Sequence, residues 1–227
     1  MSVWFAIPSV RPPAEANACL RKWRGMGYKI ALLRQGEPTA ADLTIPTEKY
    51  LGWAPSVNLL ARWVLAGDPT AEWIVTGGDD YEPDLTHRAE DIARECTAQF
   101  GGTFGVMQPT GDRWGDAQGA YLDRIAGSPW LGRDWCLRAY GGRGPLWGEY
   151  YHMYGDEELQ AAAIQLGAFW QRRDLVQTHL HWSRTVEAKR KGAPAFLKFV
   201  NSPAHWQTAK DLFHSRRAAG FPGLEPL

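Results

Sequence analysis

Short apolar runs alternate with amphipathic helical stretches over the first 108 residues, and this alternation restricts the chain to few architectures. Residues 3–7 (VWFAI) form a short apolar run ended by Pro8, the mark of a strand. Residues 14–24 place Ala16, Cys19, Leu20 and Trp23 on one helical face, and Gly25 and Gly27 stop the helix. Residues 28–33 (YKIALL) read as a second strand and 43–45 as a short third one. Residues 56–66 read as a helix, with Pro55 in its first turn, where a missing N–H costs little. Residues 72–76 (EWIVT) form a fourth strand. An amphipathic helix over 85–100 follows, with Asp84 or Thr86 as its cap, and 103–108 (TFGVMQ) is a fifth strand. This order predicts an α/β fold with a mainly parallel sheet and helices on both faces. Ligands in such folds gather at the carboxyl ends of strands. That rule brings Pro8, Ser9, Arg11, Arg34 and residues 77–80 into one neighbourhood.

Beyond residue 108 the pattern changes. Residues 109–155 are loop-rich, with many Gly and Trp, and too aromatic to be disordered. A helix is expected over 156–169 and a last strand over 175–182. The extension 183–227 holds eight Lys or Arg against three Asp or Glu in a chain of zero net charge. It suits either a polyanionic partner or a tail docked on the body. No apolar run is long enough for a transmembrane helix, and the N-terminus reads as a strand rather than a signal peptide. Three scattered cysteines, Cys19, Cys96 and Cys136, suit a reducing, cytoplasmic setting and small buried roles. The twelve tryptophans read mainly as core anchors, and otherwise as stacking platforms for bases or sugars.

Three motifs carry chemistry. In residues 73–84 an apolar strand runs into Gly77 and Gly78 and then into Asp79 and Asp80. Adjacent carboxylates repel unless a cation or a donor network compensates, and hard oxygen ligands suit Mg²⁺ or Mn²⁺. The same residues also suit a solvated turn. His179 and His181 share one face of the final strand. They read as core histidines or as ligands of a divalent metal. Asp156, Glu157 and Glu158 open a helix, where acids favour the dipole or, alternatively, supply a general base.

The order of these pieces, from the VWFAIP strand through LLRQG, WIVTGGDD and GDEEL to HLHW, resembles the GT-A glycosyltransferases over roughly residues 3–182. The resemblance implies one GT-A-like catalytic domain over 1–182. Its nucleotide-sugar-binding half would be 1–108 and its acceptor half 109–182, followed by the basic extension 183–227. It implies a divalent-metal-dependent transfer of a sugar from a nucleotide-sugar, a UDP-sugar by preference, to an acceptor hydroxyl, with inversion. Asp79 would face the ribose and Asp80 the metal. His181, or less well His179, would complete the metal shell. Asp156 would be the base, with Glu157 as the other candidate. Pro8, Ser9, Arg11 and Arg34 would line the donor site.

Compact Trp-rich chains of this type are also similar to small bacteriophage-encoded glycosyltransferases that modify hydroxymethylated pyrimidines in DNA. On that resemblance the acceptor is a 5-hydroxymethyl-pyrimidine, held by Trp130, Trp147, Tyr150 and Arg184, with the basic tail on phosphates. Glycans, lipid-linked sugars or a protein are the other acceptors. Two other classes compete. A nucleotidyltransferase needs a Gly-rich basic loop after its first strand, where this chain has Pro-Ser-Val-Arg-Pro-Pro. A non-catalytic Trp-rich binding module needs neither metal nor donor.

Overall fold

The computed structural model describes residues 1–37, 39–109, 127–180 and 195–224. Seven strands form one sheet in the order β3-β2-β1-β4-β7-β6-β8. They are β1 (Ser2–Ser9), β2 (Lys29–Gln35), β3 (Leu43–Thr47), β4 (Ala71–Val75), β6 (Val106–Pro109), β7 (Trp130–Gly132) and β8 (Phe169–Arg172). β1 to β4 run parallel, and β6 runs parallel to β8. β7 is antiparallel to both of its neighbours, β4 and β6. A second sheet of two antiparallel strands joins β5 (Tyr81–Glu82) to β9 (Thr178–His179).

The pattern of alternating side chains builds two cores, one on each face of the large sheet. Trp4 and Ala6 of β1, Ala31 and Leu33 of β2 and Ile74 of β4 enter one core. Val3, Phe5 and Ile7, Ile30 and Leu32, and Trp73 and Val75 enter the other. Successive residues of a strand point to opposite faces, so strands buried on both sides read as unbroken apolar runs. The first core is covered by α2 (Trp53–Gly67), α4 (Arg133–Gly142) and α5 (Gly155–Gln165). The second is covered by α1 (Pro13–Gly25) and α3 (Ala89–Phe100). Trp23 of α1 lies flat on Phe5, with ring centroids 3.7 Å apart and planes within 6°. No helix among the described residues is long and apolar enough to cross a membrane.

Four expectations change. The helix expected from residue 85 begins at Ala89. Asp84 does not cap it but ties the preceding loop: its Oδ1 accepts from the N–H groups of Thr86 and His87, and its Oδ2 from the N–H of Val176. The stretch read as irregular contains β7 and α4, because a three-residue strand is too short to show a period. The helix expected to run to residue 169 ends at Gln165, and Phe169 opens β8 instead. The last strand shortens to two residues and leaves the main sheet. The C-terminal segment contributes α6 (Ala195–Val200) and α7 (Pro203–Ala218), and Phe213, Phe221 and Leu224 join the first core.

The Asp84 staple has a measurable signature. Its hydrogen bonds hold the buried carboxyl well below the usual carboxylate range, although burial alone would raise it. Asp84→Ala should cost about 2–3 kcal/mol in urea unfolding at pH 7. A depressed folded value adds stability above the unfolded value and loses it as pH falls. The difference between wild type and variant should therefore be full above about pH 5 and shrink below about pH 4.

Candidate active site

The site forms where β1, β2 and β4 end. Ser9 pairs with Arg34 across β1 and β2, and Phe5 pairs with Val75 across β1 and β4. The chain leaving β4 turns through Gly77 and Gly78, and the N–H of Tyr81 closes the turn on the carbonyl of Gly78 at 3.2 Å. A Cβ at Gly78 would fall 2.6 Å from Asp80 Oδ1, so a larger residue there would displace that carboxylate. The carbonyl of Tyr81 accepts from the Trp23 indole N–H at 2.8 Å and from the Cys19 thiol at 3.1 Å. The α1 helix thus fixes the backbone that carries the two acids.

Asp79 and Asp80 face different partners. Asp79 accepts from the Ser9 hydroxyl at 2.8 Å and pairs with Arg11 Nε at 2.9 Å. Burial pushes its carboxyl up, against the pull of Arg11 and Ser9, and the Asp80 charge adds to the rise. Asp80 meets His179 Nε2 at 3.2 Å, with Arg11 Nη2 at 3.8 Å. Burial would raise Asp80 too, but the His179 hydrogen bond, then the His179 and Arg11 charges, hold it below its usual value. One acid of the pair is thereby favoured as the anion.

His179 arrives through the small sheet. It pairs with Tyr81, and the N–H of Leu180 donates to the Asp80 carbonyl at 2.7 Å. The imidazole stacks on the Tyr81 ring at 4.0 Å and 15°. That stack directs Nε2 at the carboxylate. His181 lies outside the described residues, so the pairing with Asp80 is seen for His179 alone. A divalent ion with bonds of about 2.1 Å separates adjacent ligands by about 3.0–3.4 Å, and the Asp80–His179 contact has that spacing. No group of three or more His, Cys, Asp or Glu among the described residues forms a metal-holding cluster. Asp80 and His179 thus offer one oxygen and one nitrogen of the kinds a divalent ion accepts.

Arg34 has another task than the one expected. It is 2% exposed, and its guanidinium donates to Ser9 Oγ at 2.9 Å, the Arg11 carbonyl at 2.6 Å and the Glu37 carbonyl at 2.8 Å. These three contacts shape the loop after β1. Pro8 is half-buried within β1, opposite Leu33.

The acidic turn of α5 divides in the same way. Trp53 at the start of α2 donates its N–H to the Tyr151 carbonyl, which holds the approach to α5 against the helix that follows β3. Glu158 is fully buried and takes a bidentate contact from Arg216 of α7 at 2.8–3.0 Å, plus the Tyr150 hydroxyl at 2.7 Å. Asp156 is half-buried, and its Oδ1 accepts from the N–H of Glu157 at 3.0 Å. Burial, with the Glu157 charge, pushes the Asp156 carboxyl up to about 6, against that N–H.

The expected acceptor residues are corrected by burial. Trp130 is fully buried in β7, with its indole N–H on Gln177 Oε1 at 2.8 Å. Tyr150 is 1% exposed and committed to Glu158. Trp147 is half-buried, with Arg216 3.6 Å and Arg143 4.9 Å from its ring centroid. Trp130 and Tyr150 are core residues, whereas Trp147 packs on Arg216 and also lines a small cavity with Arg143 and Glu149. Arg184 lies outside the described residues. Trp23, Cys19 and Tyr81, which position the site, carry no sequence signal that separates them from ordinary core.

No family model and no curated protein matches the chain in sequence. Solved structures do resemble it. The catalytic domain of Drosophila beta1,4-galactosyltransferase 7 in complex with xylobiose aligns with a TM-score of 0.51 at 11% identity, covering 79% of this chain and 71% of that one. A mutant of the same Drosophila enzyme with manganese, UDP-Gal and xylobiose gives 0.49 at 11%, covering 89% and 80%. A glucose-1-phosphate thymidylyltransferase candidate from Bacillus anthracis with sucrose gives 0.46 at 10%, covering 93% and 95%. The chain has the GT-A-like, Rossmann-like α/β fold, with a mostly parallel seven-stranded sheet flanked by helices.

Two of the acids of α5, Glu158 and Asp156, should separate by experiment. Glu158→Ala leaves Arg216 buried without its partner and should cost about 3–5 kcal/mol in chemical unfolding. Asp156→Asn should change stability far less, since its one bond to a backbone N–H can be kept by the amide oxygen.

Proposed function

We propose that this chain is a glycosyltransferase that uses a nucleotide-sugar and a divalent cation, Mn²⁺ or Mg²⁺. The observation that carries this is the Asp80–His179 contact at the carboxyl end of a GT-A-like sheet, beside the Ser9–Asp79–Arg11 network. Asp80 and His179 would hold the cation. When bound, it would offset negative charge building on a departing nucleoside diphosphate. Asp79 would accept hydrogen bonds from the ribose hydroxyls of the donor. Arg11 now pairs with Asp79 and lies 3.8 Å from Asp80; once a cation offsets these acids, its guanidinium would be free to pair with phosphate oxygens. Pro8 and Ser9 would border the nucleotide.

Asp156 would take the proton of the attacking hydroxyl. A base must be ionised to act, and a value near 6 leaves it mostly ionised at neutral pH. Glu157 beside it is the alternative base. Direct attack by that hydroxyl inverts the anomeric carbon. Candidate acceptors include a 5-hydroxymethyl-pyrimidine in DNA, suggested by the basic segment after residue 183, and saccharides.

Thermal unfolding with UDP-sugars, with and without Mn²⁺, tests the donor assignment. A donor at a hundredfold over its Kd should stabilise the protein by about 2.7 kcal/mol. EDTA or Asp80→Asn should abolish the metal-dependent part. If no nucleotide-sugar stabilises the chain in either condition, the assignment fails. Release of pyrophosphate, rather than nucleoside diphosphate, would mark a nucleotidyltransferase. Asp156→Asn should keep donor binding and lower the transfer rate by about a hundredfold or more. In wild type the rate should fall as pH drops through about 6, because protonation removes the base. A flat pH–rate profile between 5 and 7 would exclude Asp156.

A further inference from the structure

Beside the acidic turn of α5 lies a group of aromatic side chains that the donor site does not use. Tyr151 is 36% exposed, Phe199 58% and Trp206 43%. They come from three places: the loop before α5, the end of α6 and the first turn of α7. Tyr151 lies 6.4 Å from Phe199 at 88° and 5.8 Å from His205 at 33°. Phe199 meets His205 at 4.5 Å, and Trp206 meets Tyr154 at 5.2 Å. Tyr50 supports the group from below, 5.6 Å from Tyr151, with its hydroxyl on His152 Nδ1 at 2.8 Å.

Tyr154 links these rings to Asp156. It precedes α5 with a φ of 66°, a left-handed conformation that costs a non-glycine residue about 1 kcal/mol or more. Its ring is held by Trp206 and Phe213, both from α7. The helix that supplies Trp206 is in turn clamped to α5 by the Arg216–Glu158 pair. The exposed rings and the candidate base are thus linked through Tyr154 and α7.

We infer that this ledge, formed by Tyr151, Phe199, His205 and Trp206, is the acceptor subsite and takes a neutral saccharide. The inference rests on the glycosyl-transfer reading above. A pyranose has apolar C–H faces that pack on aromatic rings and a rim of hydroxyls that needs polar partners. The ledge offers both: the Tyr151 hydroxyl donates to the Tyr50 carbonyl and keeps its acceptor side, His205 Nδ1 meets Ser202 and leaves Nε2, and the Lys210 ammonium lies 5.5 Å from the Trp206 centroid. Charge does not single out a polyanion: Lys198 and Lys210 stand on the helices that carry Phe199 and Trp206, while Asp156 and Glu157 follow Tyr154 in the first turn of α5, and a neutral sugar is indifferent to this mixture.

Saturation-transfer NMR with cellotetraose, xylotetraose, maltotetraose and chitotetraose tests the ledge, with a (dT)₁₀ oligonucleotide as the polyanionic alternative. At least one tetrasaccharide should bind the wild type. Trp206→Ala and Tyr151→Ala should weaken it about tenfold each. Trp206→Phe should retain most of the affinity, and Trp63→Ala, at an exposed tryptophan of α2, should leave it unchanged. Binding by no tetrasaccharide, binding equal in Trp206→Ala, or binding of (dT)₁₀ that Trp206→Ala removes would each overturn the inference. Thermal unfolding with UDP-sugar and Mn²⁺ on the same samples separates the two readings. A donor response in wild type and Trp206→Ala alike, with saccharide binding lost only in the latter, supports both. Saccharide binding in the expected pattern with no donor response overturns glycosyl transfer.

Discussion

Two segments far apart in sequence meet as a pair of two-residue strands, and the candidate chemistry depends on that meeting. Tyr81 and His179 share the pair, their rings stack, and Asp80 reaches the imidazole as a result. So short a ladder has little stability of its own. It persists because Trp23 and Cys19 bind the Tyr81 carbonyl from α1, and because Asp84 ties the segment after β5 to the segment before β9. The large sheet supplies the other side of the site, with Arg34 shaping the loop that presents Ser9 and Arg11. The functional groups are therefore held by core residues and buried polar contacts.

The acidic turn of α5 shows how burial divides equal residue types. Asp156 and Glu158 are both carboxylates in the first turn of one helix. Glu158 points into the protein and meets a guanidinium, a hydroxyl and, through Arg216, the Trp147 ring. A buried ion pair of this geometry contributes specificity of packing more than net stability. Among the described residues no cation pairs with Asp156, and burial with the Glu157 charge raises its value into the range useful for proton transfer at neutral pH. The basic C-terminal segment takes part through the same pair, since Arg216 fastens α7 to the body.

Much of the fold was legible before the coordinates. β1, β2 and β4 stand within two residues of their expected limits, because strands buried on both faces leave continuous apolar runs between turns. Two of the misread strands share a cause. β7 and β8 have three and four residues, less than the length over which a period shows itself. Trp130 illustrates the limit of composition: an aromatic beside Ser and Pro reads equally as a binding platform or as a core anchor, and only its burial between sheet and helices distinguishes them. In the site, the Asp79–Asp80 step was visible as chemistry. The division of labour between the two acids was not, because it comes from Ser9, Arg11 and His179.

By itself the sequence determined the alternation that selects a mainly parallel α/β sheet, the edge at which ligands gather, and the stock of carboxylates and imidazoles near it. These follow from periodicity and turn chemistry, which act over a few residues. The tertiary structure alone decided that His179 meets Asp80, that Arg34 and Glu158 hold the protein together, and that the exposed rings stand at Tyr151, Phe199 and Trp206. Those outcomes depend on which distant segments share a surface and which charges lose their water, and neither is encoded in any local stretch of chain.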